Sequence, residues 1–186
     1  MTDNKIAIGI VGCGNIAETY LEQITNYNNV HLVGLTDIVS ERALELAAIY
    51  NCAVYPNLET MVTDEKIDLV VNLTIHHVHA EIIEQILQAN KHVYTEKPLA
   101  MNYKDAKCLV DLAEKKNLRL SSAPITYMGE AQQTAAQQIA AGILGKIRLV
   151  YAEINHDRIE TWHPNPIPFF DVGVLWDVGI YALTVC

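Results

Sequence analysis

Gly12-Cys13-Gly14-Asn15-Ile16-Ala17 spaces two glycines and a small residue as G-x-G-x-x-A, directly after an apolar strand-like run and directly before a helical pattern. That spacing suits a phosphate group. Gly12 permits a tight turn, the missing side chain at Gly14 lets a pyrophosphate approach the backbone, and small Ala17 lets helix and strand pack closely. The helix start, at Asn15 and Ile16, would offer free N–H groups and a partial positive charge to the phosphates. Asp37 stands about 25 residues beyond Gly12, at the end of "HLVGLTDI", where dinucleotide folds place the acid that binds the adenosine ribose hydroxyls. A carboxylate there repels a 2′-phosphate, which favours NAD over NADP. The alternative reading makes Asp37 the cap of the helix over "IVSERALEL", a role for which Ser40 competes.

A second group of candidates lies in "VVNLTIHHVHAE", which places Thr74, His76, His77 and His79 at the carboxyl end of a strand-like run. Such sheets bind ligands at that end. His76 and His79 could share a helical face, which raises a metal site. No carboxylate or Cys at metal-ligand spacing accompanies them, so the expectation is a wall of a cofactor cleft, with no metal and with His77 on the solvated surface.

The elements that must position these residues follow from the hydrophobic pattern. Strand-length apolar runs at 5–11, 30–36, 67–73 and 92–95 alternate with "NIAETYLEQI", "SERALELAAIY", "VHAEIIEQILQAN" and "MNYKDAKCLVDLAEKKN", whose apolar residues recur at three- and four-residue intervals. "IDLVVNL" is apolar on both faces, as a parallel strand covered by helices must be. The pattern predicts a doubly wound α/β domain closing with a strand near 118–121. From Pro124 it changes: a helix over "YMGEAQQTAAQQIAAG", then a strand over "KIRLVYAEIN" suited to an antiparallel sheet, a loop over "HDRIETWHPNPIPFFDVG" and the start of a helix in "VLWDVGIYALTVC". The expected division is a dinucleotide-binding domain over 1–122 and an incomplete substrate or oligomerisation domain over 123–186.

Composition narrows the class. The 186 residues suffice for one full domain and part of another, and 51% hydrophobic with 19% charged residues is far from a disordered composition. A formal net charge of −9, with no Lys/Arg cluster, argues against a nucleic-acid surface. No run is long enough for a membrane span, and the apolar stretch 6–11 is too short for a signal-peptide core. Cys13, Cys52, Cys108 and Cys186 form no C-x-x-C pair, so reduced thiols and a cytoplasmic location are expected.

The next strand-like run ends "HVYTEKPLAMN", and Glu96-Lys97-Pro98 following a G-x-G-x-x-A domain resembles the signature of the Gfo/Idh/MocA oxidoreductases, the glucose–fructose oxidoreductase and inositol dehydrogenase family. Thr74 and His79 resemble its T-P-N-x-x-H segment, with Ile75 and His76 where Pro and Asn are usual. "GVLWDVGIYALT" is similar to its G-G-x-L-x-D-x-G-x-H/Y element, with Asp171 and Val172 near the usual paired glycines. The resemblance implies a Rossmann-type sheet followed by an α+β domain with an open, mainly antiparallel sheet. It implies a catalytic set of Lys97, Asp177 and Tyr181, and a cofactor site drawing on Thr74, His79, Glu96 and Lys97. Trp162 and His163, in "ETWHPNP", are expected to help line the pocket of a sugar or polyol substrate. Oxidising a secondary alcohol needs a base for the hydroxyl proton and a group that stabilises the developing alkoxide. Lys97 and Tyr181 are suited to these tasks, with Asp177 positioning them. Isolated, the same residues would read as an exposed lysine, a capping Asp and a core Tyr.

A lone strand and a partial helix cannot satisfy their own backbone and apolar faces. A longer chain or another subunit is therefore expected to complete the second domain, and an exposed sheet edge makes a homo-oligomer plausible. Should 186 residues be the whole protein, NAD would bind with weak or absent turnover, and the alternative is a non-catalytic dinucleotide-binding protein.

Overall fold

The structure, a computed structural model, describes residues 5–155, 158–161, 163 and 165–186, in two units that divide after Ala123. In the first unit six parallel strands, β1 (Ile6–Val11), β2 (Val30–Thr36), β3 (Ala53–Val54), β4 (Leu69–Asn72), β5 (His92–Thr95) and β6 (Leu120–Ser122), run in the order β3-β2-β1-β4-β5-β6. The order reverses between β1 and β4, where a doubly wound sheet opens its ligand crevice at the strands' carboxyl ends. Helices α1 (Ala17–Thr25), α2 (Ser40–Tyr50), α3 (Leu58–Thr63), α4 (His79–Gln88) and α5 (Tyr103–Lys115) make the crossovers.

Two cores, one on each face, explain why the strands are apolar throughout. Ile8, Ile10, Leu35 and Val71 pack with Ala17, Leu21, Ala43 and Ala47 of α1 and α2. Val11, Val70 and Val93 pack with Met61, Ile83, Ile86, Leu87 and Leu109 of α3, α4 and α5. Alternate residues of β1 thus feed opposite layers, as the two-residue period of a strand requires. Ile10, Leu21 and Ile83 have no exposed surface, and burying each stabilises by roughly 1.5–3 kcal/mol.

The helix ends are set by short polar residues. Asn57 Oδ1 accepts the Thr60 N–H at 2.8 Å, and Asn102 Oδ1 accepts the Asp105 N–H at 2.9 Å, capping α3 and α5. Asn51, Asn90 and Asn117 take the left-handed conformation just beyond α2, α4 and α5. β3 and α3 are absent from the sequence expectation because two and six residues are too few to show a period.

In the second unit α6 (Glu130–Ala140) forms as expected. The predicted strand over 146–155 does not: these residues are exposed and irregular, and no strand is present among the described residues of this unit to pair with them. The loop expected over 156–173 contains α7 (Ile167–Val172), whose Pro168 sits in the first turn where a missing N–H costs nothing. Leu175–Gly179 makes a π-helical turn leading into α8 (Ile180–Leu183). No described helix is long and apolar enough to cross a membrane.

Candidate functional site

The turn after β1 is shaped by its neighbours across the sheet. Gly12 has φ +96°, and a Cβ there would lie 2.6 Å from the carbonyl carbon of Leu73 and 2.7 Å from the Thr74 nitrogen. Only glycine fits where the ends of β1 and β4 meet. Gly12 N–H donates to Thr36 O at 2.9 Å, holding the turn to β2 as well. At Gly14 the same construction meets nothing within 4 Å, so the chain is open to an approaching group. Gly14, Asn15 and Ile16 are exposed, whereas Ala17 is wholly buried against the sheet. No side chain caps α1, so its first-turn N–H groups have no competing side-chain acceptor, and Ala17 N–H donates to Gly14 O at 3.0 Å.

Asp37 does not cap α2. That position is Val39, which makes no side-chain cap, and Ser40 is already helical. The Asp37 carboxylate instead accepts the Cys13 N–H at 2.6 Å through Oδ2 and the Val39 N–H at 2.7 Å through Oδ1. It therefore fastens the glycine turn to the end of β2. Cys13 is buried, and burial, with the Asp37 charge adding to it, pushes its thiol up to about 12. The neutral thiol is a packing group. Ile38, beside Asp37, is fully exposed, an apolar side chain at the rim of the crevice.

Asn72, which sequence reasoning missed, organises the other side of the crevice. It is fully buried; its Oδ1 accepts the Thr74 hydroxyl at 2.7 Å and the Thr74 N–H at 3.2 Å, and its Nδ2 donates to Thr95 Oγ1 at 3.2 Å. His79 is 1% exposed, with Nδ1 2.7 Å from Pro98 O and Nε2 2.9 Å from Thr74 O. Both ring nitrogens are thus directed at backbone carbonyls of the two crevice loops. His76 packs its ring on His77, centroids 4.4 Å apart, and His77 is exposed. Among the described residues no group of three or more His, Cys, Asp or Glu side chains is arranged to hold a metal ion.

Glu96, Lys97 and Pro98 leave β5 at the same end of the sheet. Glu96 Oε1 accepts the Tyr20 hydroxyl at 2.5 Å, and Glu96 Oε2 accepts the Lys97 backbone N–H at 3.1 Å. The Glu96 N–H donates to Asn72 O at 2.9 Å. Burial and the Glu96 carboxylate both push the Tyr20 hydroxyl upward, so the phenol keeps its proton and donates. Tyr20 was not among the sequence candidates; its partner is 76 residues away, and nothing local signals it.

The second unit carries the remaining candidates. Asp177 lies in the π-helical turn, its N–H donating to Gly173 O at 3.1 Å, and Tyr181 lies in α8. His163 sets its ring edge-on to Phe169, centroids 4.7 Å apart, and its Nδ1 accepts the Asn165 N–H at 3.1 Å. Trp162 lies outside the described residues.

Comparison with known proteins adds to this geometry. The model of an oxidoreductase family with an NAD-binding Rossmann fold matches residues 6–123. The chain is 31% identical over 117 residues to the inositol 2-dehydrogenase of Salmonella typhimurium, covering 60% of this chain and 34% of that enzyme. It is 27% identical over 186 residues to the dTDP-3,4-didehydro-2,6-dideoxy-alpha-D-glucose 3-reductase of Streptomyces violaceoruber, covering 98% and 54% respectively. The WlbA dehydrogenase of Bordetella pertussis, solved with NADH and UDP-GlcNAcA, superposes with a TM-score of 0.74 at 26% identity, over 78% of this chain and 42% of that one. The chain spans about half the length, or less, of the curated relatives it matches.

Proposed function

The chain belongs to the oxidoreductase family with an NAD-binding Rossmann fold, and from that premise we propose that it transfers a hydride between a nicotinamide cofactor, NAD in preference to NADP, and a hydroxyl or carbonyl carbon of a sugar or polyol. One observation carries the cofactor half. The Gly12–Ala17 turn lies at the switch point of the sheet, open at Gly14 and fastened by Asp37.

The residues present fit a dinucleotide. Gly12, Gly14, Asn15, Ile16 and the start of α1 would hold the pyrophosphate. Each Asp37 oxygen keeps a second lone pair beyond its backbone N–H partner, enough to accept the two ribose hydroxyls, and its charge disfavours a 2′-phosphate. Thr74 and Glu96 would line the nicotinamide end, with His79 acting through the carbonyls of Thr74 and Pro98.

The bound nicotinamide supplies the hydride acceptor or donor; the rest is protein chemistry. In this reading the Lys97 ammonium stabilises charge developing on the substrate oxygen, Tyr181 or Lys97 moves the hydroxyl proton, and Asp177 orients them. Trp162 and His163 would contribute to substrate recognition. Support for a sugar or polyol comes from the relatives' own substrates.

Titration with NADH and NADPH, then a dehydrogenase assay over a panel of sugars and polyols, tests both halves. Absence of NADH binding sinks the cofactor assignment. Tight NADH binding without turnover on any substrate favours the non-catalytic dinucleotide binder instead.

A further inference from the structure

We propose that Tyr20 is a positioning residue for Lys97, linking the helix that begins at the phosphate turn to the segment that carries the reactive lysine; this rests on the function proposed above. Three observations converge. Tyr20 lies on α1, one turn inside the helix whose start is the exposed Gly14-Asn15-Ile16 segment. Its hydroxyl donates to Glu96 Oε1 at 2.5 Å, and the other oxygen of that carboxylate accepts the Lys97 backbone N–H at 3.1 Å. The ring is held in place by Tyr94, centroids 6.1 Å apart, so the hydroxyl reaches Glu96 from a packed base.

The carboxylate is therefore clamped at both oxygens, once by a side chain from α1 and once by the peptide that sets the direction of Lys97. A carboxylate held by one bond alone can rotate about its terminal torsion; held by two, it fixes the peptide it accepts from. The phenol serves this purpose only while protonated, and its burial beside Glu96 maintains that state. Tyr20 itself touches no reacting atom in this scheme. It acts through Glu96, and deleting its hydroxyl alone is expected to leave the glycine turn and Asp37 in place, because the ring keeps its packing.

The test compares the protein with Tyr20→Phe, Glu96→Gln and the double variant. The Phe ring keeps the packing on Tyr94 and deletes the hydroxyl, with its hydrogen bonds to Glu96 and to the Tyr94 side chain. The expected result is a fall in kcat of about tenfold to a hundredfold for Tyr20→Phe, with the NADH dissociation constant within about twofold. The double variant should lose no more than the worse single, because both changes break one chain of contacts. Additive losses, an undiminished kcat, or a loss confined to NADH affinity would each overturn the proposal. A second readout needs no turnover: by NMR, exchange of the Lys97 backbone amide should speed up about tenfold in Tyr20→Phe, while Val93 and Thr95 amides in β5 stay protected. Unchanged exchange at Lys97 overturns the proposal even if the parent protein is active. A parent protein without turnover counts against the hydride-transfer reading, and the exchange result then decides the role of Tyr20 alone.

Discussion

The carboxylate of Asp37 accepts the backbone N–H of Cys13 at 2.6 Å, joining the end of β2 to the middle of the glycine turn across 24 residues of chain. One side chain therefore shapes the turn and presents acceptor lone pairs at its rim. Replacing Asp37 by Asn keeps the size but removes the charge. NADH affinity should fall about tenfold to a hundredfold, and the preference over NADPH should narrow, as measured by fluorescence titration of both cofactors.

The two glycines of the turn should separate in their effects. Gly12→Ala forces a Cβ to within 2.6 Å of the Leu73 backbone at φ +96°, and should cost about 2–4 kcal/mol in urea denaturation. Gly14→Ala meets no protein atom within 4 Å, so stability should change by less than about 1 kcal/mol while NADH affinity drops.

His79→Ala removes a buried ring whose two nitrogens lie against the carbonyls of Thr74 and Pro98, with the hydrogen bond it donates there. A destabilisation of about 2–4 kcal/mol is expected in chemical denaturation, together with faster amide exchange in the 74–78 segment. A surface change at His77, which is exposed, should leave stability within about 0.5 kcal/mol.

Alkaline stability should report on Cys13. Its thiol titrates at about 12 in the fold against an ordinary 9.0, a raised value. The unfolded chain therefore ionises first: the contribution is complete below about pH 9 and is lost as pH rises towards 12. The stability of a Cys13→Ala variant, followed by denaturation at stepped pH, should decline less steeply across that window than the parent's. The exposed Cys108 should react with a thiol reagent at pH 8 while Cys13 stays unmodified until the fold opens.

What the sequence determined by itself is whatever lies within one element or one turn. β2, β5 and α2 have the bounds that their apolar patterns predict, because each pattern runs uninterrupted to a polar or glycine stop. The glycine turn was legible for the same reason: its two glycines, small Ala17 and following helix occupy consecutive residues.

Contacts between distant segments were decided only by the tertiary structure. The strand predicted over 146–155 fails to form because a strand needs a neighbour, and its own pattern supplies none. The sequence left Asp37 between helix cap and ribose acceptor, and the fold excludes the cap by turning the carboxylate to Cys13 and Val39. Asn72 enters the site only when β4 and β5 lie side by side, and His79 meets Pro98 only when α4 packs beside β5. Tyr20 reaches Glu96 across 76 residues, since hydrogen bonds obey distance in space, which periodicity along the chain does not encode.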